Sequence, residues 1–149
     1  MFGQTGGIFA NRVLIVAVLS WAIAQALKVV FTLIVTHEFD AERIFGLGGM
    51  PSSHAAFVCS IATAVGIALG FHSVEFAIAF GFAMVVMTDA AGVRRAAGKQ
   101  AKMLNEIVRD MVASGSGLTN ENLKELLGHT PFEVIVGALL GVLIAVLIM

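Results

Sequence analysis

Four apolar stretches, each close to the length of a bilayer crossing, divide the sequence and leave little of it for anything else. They run from Val13 to Val35, Ala55 to Phe71, Phe76 to Val93 and Phe132 to Met149. At about 1.5 Å per helical residue the first covers roughly 35 Å, slightly more than a hydrocarbon core. Only the polar break His72-Ser73 separates the second from the third, so these two are expected to form an antiparallel hairpin. Of the 149 residues, 58% are hydrophobic and 13% charged, against about 45–50% and 25% in soluble domains. A soluble core of this size could not bury so much apolar surface. The expected class is an all-α integral membrane protein, with residues 1–149 forming a single membrane-embedded domain of about four transmembrane helices.

Charge and cysteine content exclude several functions. Nine Lys+Arg against ten Asp+Glu give a net charge of −1, which offers no general attraction for nucleic acid. The single cysteine, Cys59, sits inside an apolar run and rules out an intrachain disulfide. No Cys/His cluster has zinc-ligand spacing, so neither metal nor cofactor is expected. Arg12, the following apolar run and Ala22-Ile23-Ala24 imitate a signal peptide. Apolar sequence nevertheless continues to Val35, and an uncleaved span is expected.

Four spans place both termini on one side and both long loops, residues 36–52 and 94–131, on the other. The loop side carries Arg43, Arg94, Arg95, Lys99, Lys102, Arg109 and Lys124, the terminal side only Arg12. The positive-inside rule therefore puts the loops in the cytoplasm of a bacterial-type cell membrane. Within the longer loop, Met103, Leu104, Ile107, Val108 and Met111 recur with helical spacing. This predicts an amphipathic helix from about Ala96 to Val112, at the membrane surface or against the bundle. Ser114-Gly115-Ser116-Gly117 ends it, and a second short helix is expected from about Asn120 to Leu127, stopping at Gly128. Gly66-xxx-Gly70 and Gly137-xxx-Gly141 allow close helix approach. Packing within one bundle is the expected use, and a homodimer through these glycine-rich faces is the alternative.

The costly polar groups gather on the loop side. Lys28 lies roughly 10 Å inside the first span, with Gln25 and Thr32 on its face; snorkelling to the headgroups is the bland account. Gly48-Gly49-Met50-Pro51-Ser52-Ser53-His54 enters the second span, where Pro and Ser are ordinary helix-start residues. Asp89 sits near the end of the third span, just before Arg94 and Arg95. A carboxylate there needs a cationic partner, and Lys28 or either arginine would serve, which makes Asp89 a structural ion-pair residue. Thr130, Pro131 and Glu133 satisfy a capping box at the fourth span. That pattern does not explain His129. Two histidines beside helix N-termini, together with Lys and Arg, suit an anion such as phosphate. One imidazole can attack phosphorus while the other protonates the leaving oxygen.

Lys28, Pro51-Ser52-Ser53-His54 and His129 with Glu133 four residues on resemble a rearranged form of the type 2 phosphatidic acid phosphatase superfamily, which includes the vanadium haloperoxidases. The divergent branch of that superfamily is closer. Gly49-Met50-Pro51-Ser52-Ser53-His54-Ala55, Asp89-Ala90-Ala91-Gly92-Val93-Arg94-Arg95 and Leu127-Gly128-His129-Thr130-Pro131-Phe132-Glu133-Val134 are similar to its three blocks, in order. The likeness covers about residues 25–141. It implies a metal-independent phosphatase that passes through a phosphohistidine. On that reading His129 is the nucleophile, Glu133 orients it, and His54 protonates the leaving group. Ser52 and Ser53 would bind phosphate oxygens, and Lys28 with Arg94 or Arg95 would neutralise charge. The sequence departs from the superfamily pattern at four places. Val35 and Thr36 replace an Arg-Pro pair, Ser53 a glycine, Leu123 an arginine and Glu133 an aspartate.

The expected function is hydrolysis of a lipid phosphate or diphosphate held in the bilayer at its cytoplasmic face. Phosphatidic acid, phosphatidylglycerol phosphate and polyprenyl phosphate all fit. An anionic-lipid binding or transport protein would use the same cations without hydrolysis, and a structural membrane subunit would need neither histidine. Topology is directly testable in a Cys59→Ser background. Ser116→Cys should resist an impermeant thiol reagent in intact cells and Gln4→Cys should react with it, and the reverse labelling would overturn the orientation.

Overall fold

Inside hydrocarbon a chain must satisfy its backbone polar groups internally, and the apolar stretches of this sequence do so as helices. A computed structural model describes residues 7–36, 49–114 and 129–149, the side chains of Val35, Thr36, Arg94 and Arg95 excepted. A 3-10 turn at Ile8–Ala10 precedes α1 (Arg12–Thr36); α2 (Ser53–Leu69) and α3 (Val74–Thr88) follow. A π-helical segment, Asp89–Val93, joins α3 directly to α4 (Arg94–Ala113), and α5 is Pro131–Ile148. Every regular element among the described residues is helical, as expected. The second loop helix expected near residues 120–127 lies outside the described residues.

Local chemistry sets the boundaries. Ser52 caps α2, its Oγ accepting the Ala55 amide at 3.3 Å. The hairpin between α2 and α3 turns on Gly70, at φ 92°, and on Ser73, whose Oγ donates to the Gly70 carbonyl and accepts the Phe76 amide. Among the described residues, three helical stretches are long and apolar enough to cross a membrane: Arg12–Ile34, Val74–Ala113 and Pro131–Ile148. The apolar helix α2 has 17 residues, about 25 Å of rise. The stretch Val74–Ala113 is the main departure from expectation. Instead of closing at Arg95 it runs on through the π segment for 40 residues, roughly 60 Å, or about twice a hydrocarbon core. Its second half is the expected amphipathic helix, and Met103, Leu104, Ile107 and Met111 are exposed along it.

At the centre stands α2, packed on α5, α1 and α3. Its inward residues are small: Ala55, Ala56, Ala62, Ala64 and Gly66 are buried with Ser60 and Cys59. Bulky side chains such as Leu19, Phe31, Phe80, Phe82 and Leu139 are exposed on the outside. This distribution suits a lipid solvent, in which burying large apolar groups gains little and close backbone approach gains more. At one end Val16, Ala64 and Ala145 cluster, and Arg12 Nη2 donates to the Ile148 carbonyl at 3.1 Å. At the other end the close of α1, the starts of α2 and α5 and the π segment come together.

Both glycines of Gly137-xxx-Gly141 face α2. A Cβ built on Gly137 would fall on the Ser52 carbonyl oxygen, and one on Gly141 on the Ala56 carbonyl oxygen. These are rigid backbone atoms. Gly81 on α3, by contrast, has nothing within 4 Å of the same construction. Gly137→Ala and Gly141→Ala are each expected to lower stability by about 1–3 kcal/mol, the usual cost of overpacking. Gly81→Ala should leave it unchanged or raise it. Thermal unfolding in detergent measures the contrast.

Candidate functional site

The three sequence blocks are far apart in the chain and meet at one end of the bundle. Ala55, Ala90 and Val134, one from each block, are buried against one another. The Ser52 amide donates to the Glu133 carbonyl at 3.1 Å, which fastens the start of α2 to the first turn of α5. The positive ends of two helix dipoles therefore share one small region.

From α1, Lys28 reaches the same region. It is only 5% exposed, so it is buried at the bundle end rather than snorkelling into open headgroups. A Cβ on Gly49 would lie 3.0 Å from Lys28 Cε and 3.4 Å from Cγ. Gly49 also has φ 87°, a conformation that side chains with a Cβ rarely adopt. Any larger residue would strain the turn and push the lysine aside. The sequence alone assigns Gly49 no such role; the pair Gly48-Gly49 just before Met-Pro-Ser is the available signal.

His129 is 4% exposed, and its Nδ1 lies 3.1 Å from Glu133 Oε2. That oxygen also accepts the Thr130 amide at 3.1 Å, while Thr130 Oγ1 accepts the Glu133 amide at 3.3 Å. The capping box is therefore present, and its carboxylate holds the imidazole as well. A carboxylate only accepts, so Nδ1 carries the proton and a neutral ring keeps a lone pair on Nε2. Burial pushes the ring below the ordinary histidine value. A hydrogen bond and the charge of Glu133 pull it up, the Lys28 cation pushes it down, a hydrogen bond to the Gly49 backbone pulls it up, and burial prevails. Near pH 7 the ring is neutral.

The remaining candidate residues are placed as follows. Ser52 and Ser53 are buried, Ser52 spending its Oγ on the α2 cap. His54 is exposed, and its side chain lines an apolar groove with Trp21, Phe57 and Val86. Asp89 is half-buried at the first position of the π segment, a feature for which the sequence carried no signal. Arg94 and Arg95 open α4, one turn beyond Asp89, and their side chains lie outside the described residues. Among the described residues no three His, Cys, Asp or Glu side chains converge in a way that would hold a metal ion. Chemically, a buried cation beside a neutral, carboxylate-held imidazole can bind an anion and offer it a nitrogen nucleophile or base.

The helices and this polar cluster define an all-α integral membrane protein with its distinctive chemistry at one end of the bundle. The sequence matches the Divergent PAP2 family over residues 9–144, and the chain belongs to that family. It is also 38% identical over 135 residues to the uncharacterized membrane protein YuiD of Bacillus subtilis (strain 168), covering 84% of this chain and 85% of that protein. No solved structure matches. The divergent-branch resemblance drawn from the three blocks is thus correct.

The depressed His129 value has a consequence for stability. The unfolded chain, with an ordinary histidine near 6.5, takes up this proton before the folded chain does. Stability is therefore complete above that pH and falls as the pH drops through it toward the lower folded value. The thermal midpoint in detergent should fall more between pH 7.5 and pH 5.5 for wild type than for His129→Gln. Parallel curves would show that the buried ring does not resist protonation.

Proposed function

We propose that this chain is a phosphatase for a lipid phosphate or diphosphate, working through a phosphohistidine on His129 at the cytoplasmic face of the membrane. The observation that carries the reading is the buried imidazole beside Lys28, its Nδ1 on Glu133, in a chain of the Divergent PAP2 family. Nε2 of His129 attacks phosphorus, forming the N–P bond as the P–O bond to the lipid breaks. Glu133 holds the Nδ1 proton and stabilises the positive charge that develops on the ring. His54 gives its proton to the departing oxygen. Water then attacks the phosphohistidine, His54 takes a proton from it, and inorganic phosphate leaves. Lys28, the α2 start at Ser52-Ser53 and Arg94 or Arg95 offset charge on the phosphoryl oxygens. Asp89 is the structural partner of one of these cations. No step needs a metal.

Phosphate release in detergent tests the scheme, with phosphatidic acid, phosphatidylglycerol phosphate and a polyprenyl phosphate as substrates. His129→Ala should lose at least about a thousandfold in turnover, as expected when a nucleophile is removed, while EDTA has no effect. Vanadate should inhibit. His54→Ala should slow the lipid reaction more than that of an activated aryl phosphate, whose leaving group needs little protonation. Full activity in His129→Ala, or activity abolished by EDTA and restored by magnesium, would overturn the mechanism.

A further inference from the structure

Between α1, α2 and α3 lies a groove of about 380 Å³, within the range of small-ligand sites. Val18 and Trp21 of α1, Phe57 of α2, and Phe82 and Val86 of α3 form its apolar walls, and His54 is its polar lining residue. Trp21 is seven residues before Lys28, roughly 10 Å deeper along α1. Phe57 is one turn deeper than His54 on α2, and Phe82 one turn deeper than Val86 on α3. The groove therefore descends from the end of the bundle that holds Lys28 and His129 toward hydrocarbon depth. Its flank is open: Val18 is 49%, Trp21 41% and Phe82 55% exposed.

We propose that this groove seats the hydrocarbon tail of the lipid whose phosphate occupies the Lys28–His129 region. The inference rests on the proposed function and adds a tail site to it. Water is a poor occupant, because an apolar cavity gives it too few hydrogen-bond partners. A lipid chain enters sideways from the bilayer without leaving hydrocarbon. Charge sets its direction, since the polar end of the groove adjoins the buried cation and both helix N-termini, so an anionic head points there. His54 follows Ser52 and Ser53 on the first turn of α2 and lines the end of the groove nearest the Lys28–His129 region. The atom at their junction is the ester oxygen linking phosphate to tail, the oxygen that His54 protonates. The groove thus selects phosphates that carry a long apolar tail over soluble phosphates.

Trp21 is the sole tryptophan of the chain, so its fluorescence reports groove occupancy without reference to turnover. The probe is phosphatidic acid brominated on its tails, titrated at low mole fraction into protein held in phosphatidylcholine nanodiscs. Quenching should saturate and be reversed by unbrominated phosphatidic acid. Brominated phosphatidylcholine at the same fraction should give only weak, non-saturating quenching. Val18→Phe, which fills the groove, should raise the half-saturating fraction about tenfold, the effect of one misplaced apolar group. Phe82→Ala removes wall from a different helix without adding volume, and should act in the same direction. Equal quenching by the two brominated lipids, or saturation unchanged in both variants, would overturn the tail site. Phosphate release separates the two proposals. Hydrolysis without selective quenching leaves the phosphatase reading standing and removes the tail site. Selective quenching without hydrolysis keeps the groove and makes the protein an anionic-lipid binder.

Discussion

The arrangement of the polar end of the bundle follows from how closely α2 approaches α5. Gly137 and Gly141 leave no Cβ between the two backbones, and the carbonyls of Ser52 and Ala56 occupy that space. At this separation the Ser52 amide reaches the Glu133 carbonyl. Both helices then begin at the same level, and His129 is carried to the turn that holds Gly49 and Lys28. In hydrocarbon such an arrangement cannot rely on burying bulky side chains, because lipid tails solvate them equally well. Small residues inside and large residues outside are the consequence, and α2, whose inward residues are the smallest, becomes the central helix.

The same packing determines the state of the ionisable groups. An ammonium and an imidazole are brought together at a buried end of the bundle, where burial and the like charge both oppose a charge on the ring. The ring yields, since Lys28 and burial act on it in the same direction, while Glu133 fixes which nitrogen keeps the proton. One carboxylate oxygen serves the helix cap and the ring together. The geometry of His129 is therefore as rigid as the start of α5 itself. A capping motif, ordinarily a device of local stability, here also holds the imidazole.

The π segment gives this end of the molecule its third side. Asp89–Val93 keeps the chain helical between α3 and α4 while changing its local winding, and Ala90 is thereby buried against Ala55 and Val134. Such segments recur at functional sites because they re-aim side chains without ending a helix. Here it delivers a carboxylate to the bundle end at Asp89 and begins a basic amphipathic helix at Arg94.

The sequence alone carries the class of the fold, the approximate extents of the described helices and the cap at Thr130. These follow from local rules: apolar length against bilayer thickness, and hydrogen-bonding side chains at helix starts. It also singled out Lys28, His129 and Glu133, because a polar group placed in or beside a span is costly enough to stand out in the pattern. That Gly49 must be glycine, that His54 lines a groove and that His129 is buried emerges only when the helices pack. Each of these depends on which surfaces face each other across helices remote in sequence. Spacing along one helix records which side chains share a face, but it carries no record of what that face will meet.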